Sequence, residues 1–320
     1  MNSPIADRAA MPACPVCRGD GARVTVFRLV DAIRYFECGD CGSLFADFDA
    51  IETQEARAVR YDHRYWADEL GAARARSFGA SIVRCAEVFF YARTPIRHFL
   101  DIGSGPGYFL DAVSQVMPRF ASMFYAVEMF PPPEGRRTTH PNFYVGDVAS
   151  TPVKFDAGLC IEVIEHLRPE QLSRLIEQLA TVSNPGALYY FNSGQPDYVK
   201  TEDGAYLDPM GRGHIVSYSV PALRRLFSAH GFTVTALPGR HWAFLAEFAE
   251  PRSEEGVDGL LNRLWSPHPD NISKLKDNGF GELMYTIGLE GARCYLEAAS
   301  AQERTRWALS LQAQIEGRPA

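Results

Sequence analysis

Three groups of residues have the types and the spacing to do chemistry. Four cysteines near the N-terminus form two pairs, Cys14-Pro-Val-Cys17 and Cys38-Gly-Asp-Cys41. Three glycines at alternate positions, Gly103, Gly105 and Gly107, open the run GSGPGYF. Glu165 and His166 close the apolar stretch FDAGLCIEVIEH, and His214 lies in the loop DPMGRGHIV. An imidazole accepts a proton near neutral pH, which makes both histidines candidates for proton transfer.

The cysteine spacing, C-x2-C-x20-C-x2-C, suits a structural zinc site. Two-residue gaps let both thiolates of a pair reach one tetrahedral ion, and Gly19, Gly39 and Gly42 supply the tight backbone around them. Four protein thiolates leave no open position for an activated water. The expected role of the metal is to hold a segment too small for its own core. Two disulfides, or free thiols, are the alternative. The remaining cysteines, Cys85, Cys160 and Cys294, are scattered, and the odd total of 7 does not suggest a secreted disulfide framework.

The glycine loop follows an apolar strand and precedes a helix, where a doubly wound fold binds its ligand. Missing side chains let the backbone approach that ligand closely. In the dinucleotide fingerprint G-x-G-x-x-G/A the third small residue packs helix on strand. Counted from Gly103, that place holds Tyr108, which cannot do that job. No Lys-Ser/Thr pair follows, so a nucleotide-triphosphate loop is excluded too.

These residues need elements to position them. Between the cysteine pairs, RVTVFRLVDAIRYFE reads as a hairpin, and residues 51 to 91 are helix-prone. From residue 97 strands and helices alternate: strands at 98–102, 122–128, 142–147, 155–161 and 187–192, helices at 108–116, 169–182 and 219–231. FTVTAL and HWAFLAEF close the pattern as strands with no helix between them, which favours an antiparallel pair at the sheet edge. The alternation predicts an α/β fold with a doubly wound parallel sheet. Three prolines in MFPPPEGRR forbid a helix directly after the second strand. The last 70 or so residues look helical. Met284, Ile287, Gly288, Gly291 and Tyr295 share one face, and Trp307, Leu311 and Ile315 another, suited to core or homodimer contact. The expected division is a zinc ribbon at 1–50, a helical linker or lid at 51–96, the α/β domain at 97–250 and a helical extension at 251–320.

Asp101-x-Gly103-x-Gly105-x-Gly107 resembles the first motif of class I S-adenosylmethionine (SAM)-dependent methyltransferases. Glu128 ends the next strand, 21 residues after Gly107, and Asp147 follows the strand beyond. FDAGLCIEVIEHLRP and GHIVSYSVPALRRLFSAHGF are similar to segments of the small-molecule methyltransferases that include the ubiquinone-type O-methyltransferases. The resemblance spans roughly residues 75 to 250. It implies a Rossmann-like sheet of seven strands with SAM as cofactor. It implies that Glu128 holds the ribose hydroxyls and Asp147 the adenine amino group, with Ser104, Tyr108, Val148 and Ile161 completing the cofactor shell. An N-terminal zinc module ahead of such a domain resembles bacterial C-methyltransferases acting on nucleotide-linked deoxysugars, whose C-terminal domain is much longer. It also resembles one class of rRNA guanine methyltransferases, whose zinc ligands include a histidine.

Methyl transfer needs acceptor, methyl and sulfur in line, and a base if the acceptor is a hydroxyl or a carbon acid. Glu165, His166 and His214 sit past strand ends, where that base belongs. Tyr61, Tyr65 and Trp66 in YDHRYW are placed to cover the pocket and touch the acceptor. The expected function is methylation of an oxygen or carbon of a small-molecule or sugar-like acceptor. An RNA methyltransferase reading RNA with the zinc module, and a non-catalytic SAM-binding scaffold, are the alternatives. A net charge of -7 over 320 residues, and four Arg against five acids in 12–48, argue against a nucleic-acid partner. No apolar run approaches the length of a membrane span, and the first residues show no signal-peptide pattern, so a cytoplasmic protein is expected.

Overall fold

The computed structural model describes residues 11–53, 63–249, 256–277 and 282–315. The chain opens with an antiparallel hairpin, β1 (Val24–Val30) and β2 (Ile33–Cys38), followed by the short β3 (Leu44–Ala46). Three helices come next: α1 (Phe48–Thr53), α2 (His63–Phe78) and α3 (Ala80–Tyr91). α3 is the apolar one, with Ile82, Cys85, Val88, Phe89 and Phe90 all buried.

The alternating region follows as β4 (Phe99–Ile102), α4 (Tyr108–Val116), β5 (Phe124–Glu128), β6 (Phe143–Val145), β7 (Phe155–Ile161), α5 (Pro169–Thr181) and β8 (Ser183–Asn192). Then come α6 (Pro196–Thr201), β9 (Val216–Ser217), α7 (Val220–Ser228), β10 (Phe232–Ala236) and β11 (Ala243–Phe248). Seven strands form one sheet in the order β10-β11-β8-β7-β4-β5-β6. β6, β5, β4, β7 and β8 are parallel, as their near-continuous apolar runs require when both faces are covered. The expected antiparallel closing pair is present, with β11 inserted between β8 and β10 so that β10 takes the edge. Alternate residues of β8 serve the two faces: Leu188 and Tyr190 join α3, α4 and the C-terminal helices, while Tyr189 and Phe191 join α5 and α7. The proline-rich stretch after β5 is irregular.

The cysteine module does not stand apart from this domain. Its sheet is completed by β9, which pairs with β3 through Leu44 and Ser217 and through Phe45 and Val216. Ala46 N donates to Ile215 O, Ser219 N to Ser43 Oγ, and Tyr35 Oη to His214 O at 2.6 Å.

The C-terminal extension is α8 (Gly256–Trp265), α9 (Pro269–Lys276) and the long α10 (Leu283–Ile315). Met284, Gly288, Ala292, Leu296 and Ala299 of α10 are buried against the rest of the domain. A Cβ at Gly288 would stand 2.8 Å from Ala86 O, so the helices touch backbone to backbone there. Further along, Trp307 and Ile315 are 65% and 86% exposed. No helix among the described residues is long and apolar enough to cross a membrane.

Candidate active site

A cavity of about 520 Å³ opens at the C-terminal ends of β4, β5 and β7. The glycine loop forms its floor. Gly103 N and Ser104 N both donate to Val127 O, which ties the loop to β5. Gly105 has φ +58, and a Cβ there would stand 3.1 Å from the Trp66 ring, so the α2 tryptophan lies directly over the loop. Trp66 is buried, and its indole N–H donates to Phe130 O at 3.0 Å. Tyr65 lines the same wall. Tyr61 lies outside the described residues.

The three carboxylates anticipated after successive strands all line this cavity: Asp101, Glu128 and Asp147. Glu128 accepts from Gly105 N at 2.8 Å through one oxygen and from Phe130 N at 2.9 Å through the other. Each oxygen keeps a second lone pair for a ligand hydroxyl. Burial pushes the Glu128 carboxyl up, against the pull of those amides. Asp147 accepts from Gln178 Nε2 at 2.8 Å. Burial pushes Asp101 up to about 7, and the charge of Glu128 adds to the shift. Ser104 Oγ is buried with no hydrogen-bond partner in the protein, as expected of a group kept for a ligand. Val148 and Ile161 supply apolar wall. Tyr108 does not reach the wall; its hydroxyl donates to Arg136 O at 2.9 Å. Gly107 serves the start of α4, packed beside Thr138 and Phe143.

Past β7 the chain turns sharply. Glu162 has φ +55, a left-handed conformation that a non-glycine residue adopts only under constraint. That turn is held by Glu162 N donating to Asn192 O and by Asn192 Nδ2 donating to the Glu162 carboxyl at 2.8 Å. It directs Glu162 and His166 into the cavity wall. Glu165 and His214 stand behind them, buried. The two imidazoles meet edge to face, ring centres 4.8 Å apart. Each presents Nδ1 to a backbone carbonyl: His166 to Gly213 O at 3.0 Å and His214 to Tyr206 O at 2.8 Å. A carbonyl only accepts, so both Nδ1 atoms carry the proton. Burial lowers both histidines, His214 to about 3, so both are neutral at pH 7. Burial raises both the Glu162 and Glu165 carboxyls, and the charge of Glu165 adds to the shift of Glu162.

Of the three residues expected to handle a proton, then, only His166 faces the cavity. Glu162 is the residue the sequence reading passed over; its one local signal is an acid placed directly at the strand end. Arg76, Arg174 and Gln171 also line the wall, from helices whose polar faces look like solvent faces in sequence.

At the cysteine module, Cys14 Sγ and Cys41 Sγ are 3.8 Å apart and Cys17 Sγ and Cys38 Sγ 3.7 Å. All four sulfurs lie within 4.8 Å of one another and none forms a disulfide. A tetrahedral ion with bonds of about 2.3 Å needs sulfur–sulfur edges of about 3.8 Å, so the donors fit a four-thiolate zinc ion.

The strand order, with a glycine loop after the first parallel strand and carboxylates ending the next two turns, defines an α/β transferase of the methyltransferase class. A family model described as "Methyltransferase domain" matches residues 60–237, and the chain belongs to that family. No curated protein matches the chain. Among solved structures it is similar to DesVI of Streptomyces venezuelae, at 17% identity over 60% of this chain and 100% of that one, TM-score 0.44. It is also similar to KedS8, a sugar N-methyltransferase from a Streptoalloteichus species, at 14% identity over 60% and 94%, TM-score 0.42. SAM-bound CalS10, an amino pentose methyltransferase of Micromonospora echinaspora, matches at 15% identity over 62% and 95%, TM-score 0.38. Likeness at this level carries no conclusion about the acceptor of this chain.

Proposed function

We propose that the protein transfers a methyl group from SAM to an oxygen or carbon of a small-molecule or sugar-like acceptor. The observation that carries this reading is the convergence of Asp101, Glu128 and Asp147 on one cavity floored by the glycine loop. Glu128 receives the ribose hydroxyls and Asp147 lies on the adenine side. Asp101 and Ser104 take the polar end of the methionine portion, and Val148 and Ile161 hold the base. SAM supplies a methyl group on a sulfonium, already activated for in-line displacement. Trp66 and Tyr65 close the loop side and exclude water. Glu162 and His166 form the acceptor wall, hold the acceptor atom in line and receive its proton. The four-cysteine module carries a structural zinc ion, which supports the segment that holds His214.

Calorimetry with S-adenosylhomocysteine tests the donor half. One site per chain is expected, and Glu128→Ala should weaken it by about 10- to 100-fold, since hydrogen bonds to a charged group contribute about 1.5–3 kcal/mol. Failure of the intact chain to bind S-adenosylhomocysteine or SAM sinks the reading.

A further inference from the structure

We propose that a cleft between the end of α3 and the α8–α9 turn binds a small oxyanion, a phosphate ester or a carboxylate, at a site separate from the larger cavity.

The cleft has a volume of about 310 Å³ and is lined by residues that include Phe90, Tyr91, Arg93, Arg263, Ser266 and His268. Among the described residues no acid lines it, in a chain whose net charge is -7. Eight buried side-chain nitrogen and oxygen atoms of the described residues have no hydrogen-bond partner. Three of them, Tyr91 Oη, Arg263 Nε and His268 Nδ1, belong to residues of this cleft. Tyr91 and Arg263 are 1% and 5% exposed. An unmet buried donor is costly, so their concentration at one cleft calls for a partner.

The three atoms share a polarity. A phenol O–H and a guanidinium Nε–H donate, and the Nδ1 of a histidine donates in one neutral tautomer and in the charged ring. The terminal nitrogens of Arg263 are already engaged. They donate to the two oxygens of Glu247 at 2.9 Å, and one also donates to Tyr91 O at 3.2 Å. That fork neutralises Glu247 and fixes the guanidinium plane, leaving Nε–H outside it. Arg93, exposed, adds a second cation to the lining. A group with a negative charge and several lone pairs meets these donors together, and a neutral or cationic group does not.

The frame around the donors is fixed. Asn271, in the first turn of α9, donates to Thr94 O at 3.0 Å and accepts from Ile96 N at 2.8 Å. These bonds hold α9 against the segment that leaves α3. His268 O accepts from Asn271 N and Ile272 N, so the ring carrying Nδ1 stands at a held helix start. The positive end of α9 lies there too, opposed by the exposed Asp270. Donors on such a frame need little ordering when the anion arrives. Ser81 of α3 lines the larger cavity and Tyr91 lines this cleft. At 1.5 Å per residue the two stand about 15 Å apart along the helix. The site therefore does not depend on the proposed function.

The test uses the full chain labelled with ¹⁵N arginine. The Arg263 Nε–H resonance is followed by nuclear magnetic resonance during titration with inorganic phosphate and, separately, with acetate, at constant ionic strength. A saturable shift is expected, with one anion per chain and half-saturation in the millimolar range. Arg93→Gln and His268→Ala should each weaken binding by about tenfold or more. Saturation by phosphate alone assigns the site to phosphate esters, by acetate alone to carboxylates, and by both to either; each result supports the site. No saturable shift with either anion means that water meets these donors and overturns the proposal. Folded variants that bind like the unmodified chain overturn it as well. Arg263 itself is left in place, because breaking its pair with Glu247 endangers the fold. Where a variant does not fold, the shift in the unmodified chain decides alone.

Discussion

Asp101, one residue before the end of β4, carries a carboxyl that burial lifts from an ordinary 3.8 to about 7. A raised acid favours the folded state while protonated. Its contribution is therefore full below about pH 4 and is lost as pH rises through 7. The ligand-free protein should lose stability across that window, and Asp101→Asn should flatten the slope that this group contributes. Thermal unfolding between pH 4 and 8 reads both. A cationic ligand beside Asp101 favours its ionised form. Binding of SAM should then release protons near pH 6, seen by calorimetry in buffers of different ionisation enthalpy. Equal proton release from the unmodified chain and Asp101→Asn would remove Asp101 from the cofactor site. Glu128 is raised as well, so the variant is needed to separate the two groups.

Among the elements, the ribbon and the acceptor wall are mechanically one piece. β9 is two residues long and, among the described residues, pairs with no strand but β3. The segment leading into it carries His214, whose carbonyl accepts the Tyr35 hydroxyl. Tyr35→Phe leaves that carbonyl unmet and should cost about 0.5–1.5 kcal/mol. Removing the zinc ion proposed for the four cysteines should do more, because a hairpin of this size holds its shape poorly without such an ion. Amide exchange at 214–219 is expected to quicken in both cases, most after chelation. Unchanged exchange there would show that the domain holds the acceptor wall by itself.

At the scale of the whole molecule, the C-terminal helices are bolted to the sheet by buried ion pairs. The Arg240 guanidinium donates to Glu87, to the Tyr190 hydroxyl and to Gly291 O, joining α3, β8 and α10 at one point. Arg263 meets Glu247 through two bonds of 2.9 Å, joining α8 to β11. Arg240→Leu leaves Glu87, fully buried, with Arg84 as its one ion-pair partner among the described residues. A loss of about 3–5 kcal/mol is expected, measured as a shift in the urea midpoint. A shift under about 1 kcal/mol would mean that α10 docks through its apolar face alone.

Much of the fold is legible in order along the chain. FDAGLCI is a strand and YFLDAVSQV a helix with the bounds read from the residues alone, because periodicity and turn chemistry act within a few residues. The glycine loop with its following carboxylates, and the two C-x2-C pairs, are legible for the same reason: each is a local pattern with a chemical purpose. Partner choice is not local. Nothing in FTVTAL or HWAFLAEF says that the second strand enters the sheet before the first, and VS is too short to show a period at all. Which side chain faces the cavity is also a tertiary matter. The positive φ of Glu162, held by Asn192 from the neighbouring strand, turns Glu162 and His166 toward the cavity and leaves Glu165 and His214 behind them. Local chemistry written in the residues names the proposed donor site; strand pairing over long separations, set by burial, builds the proposed acceptor site.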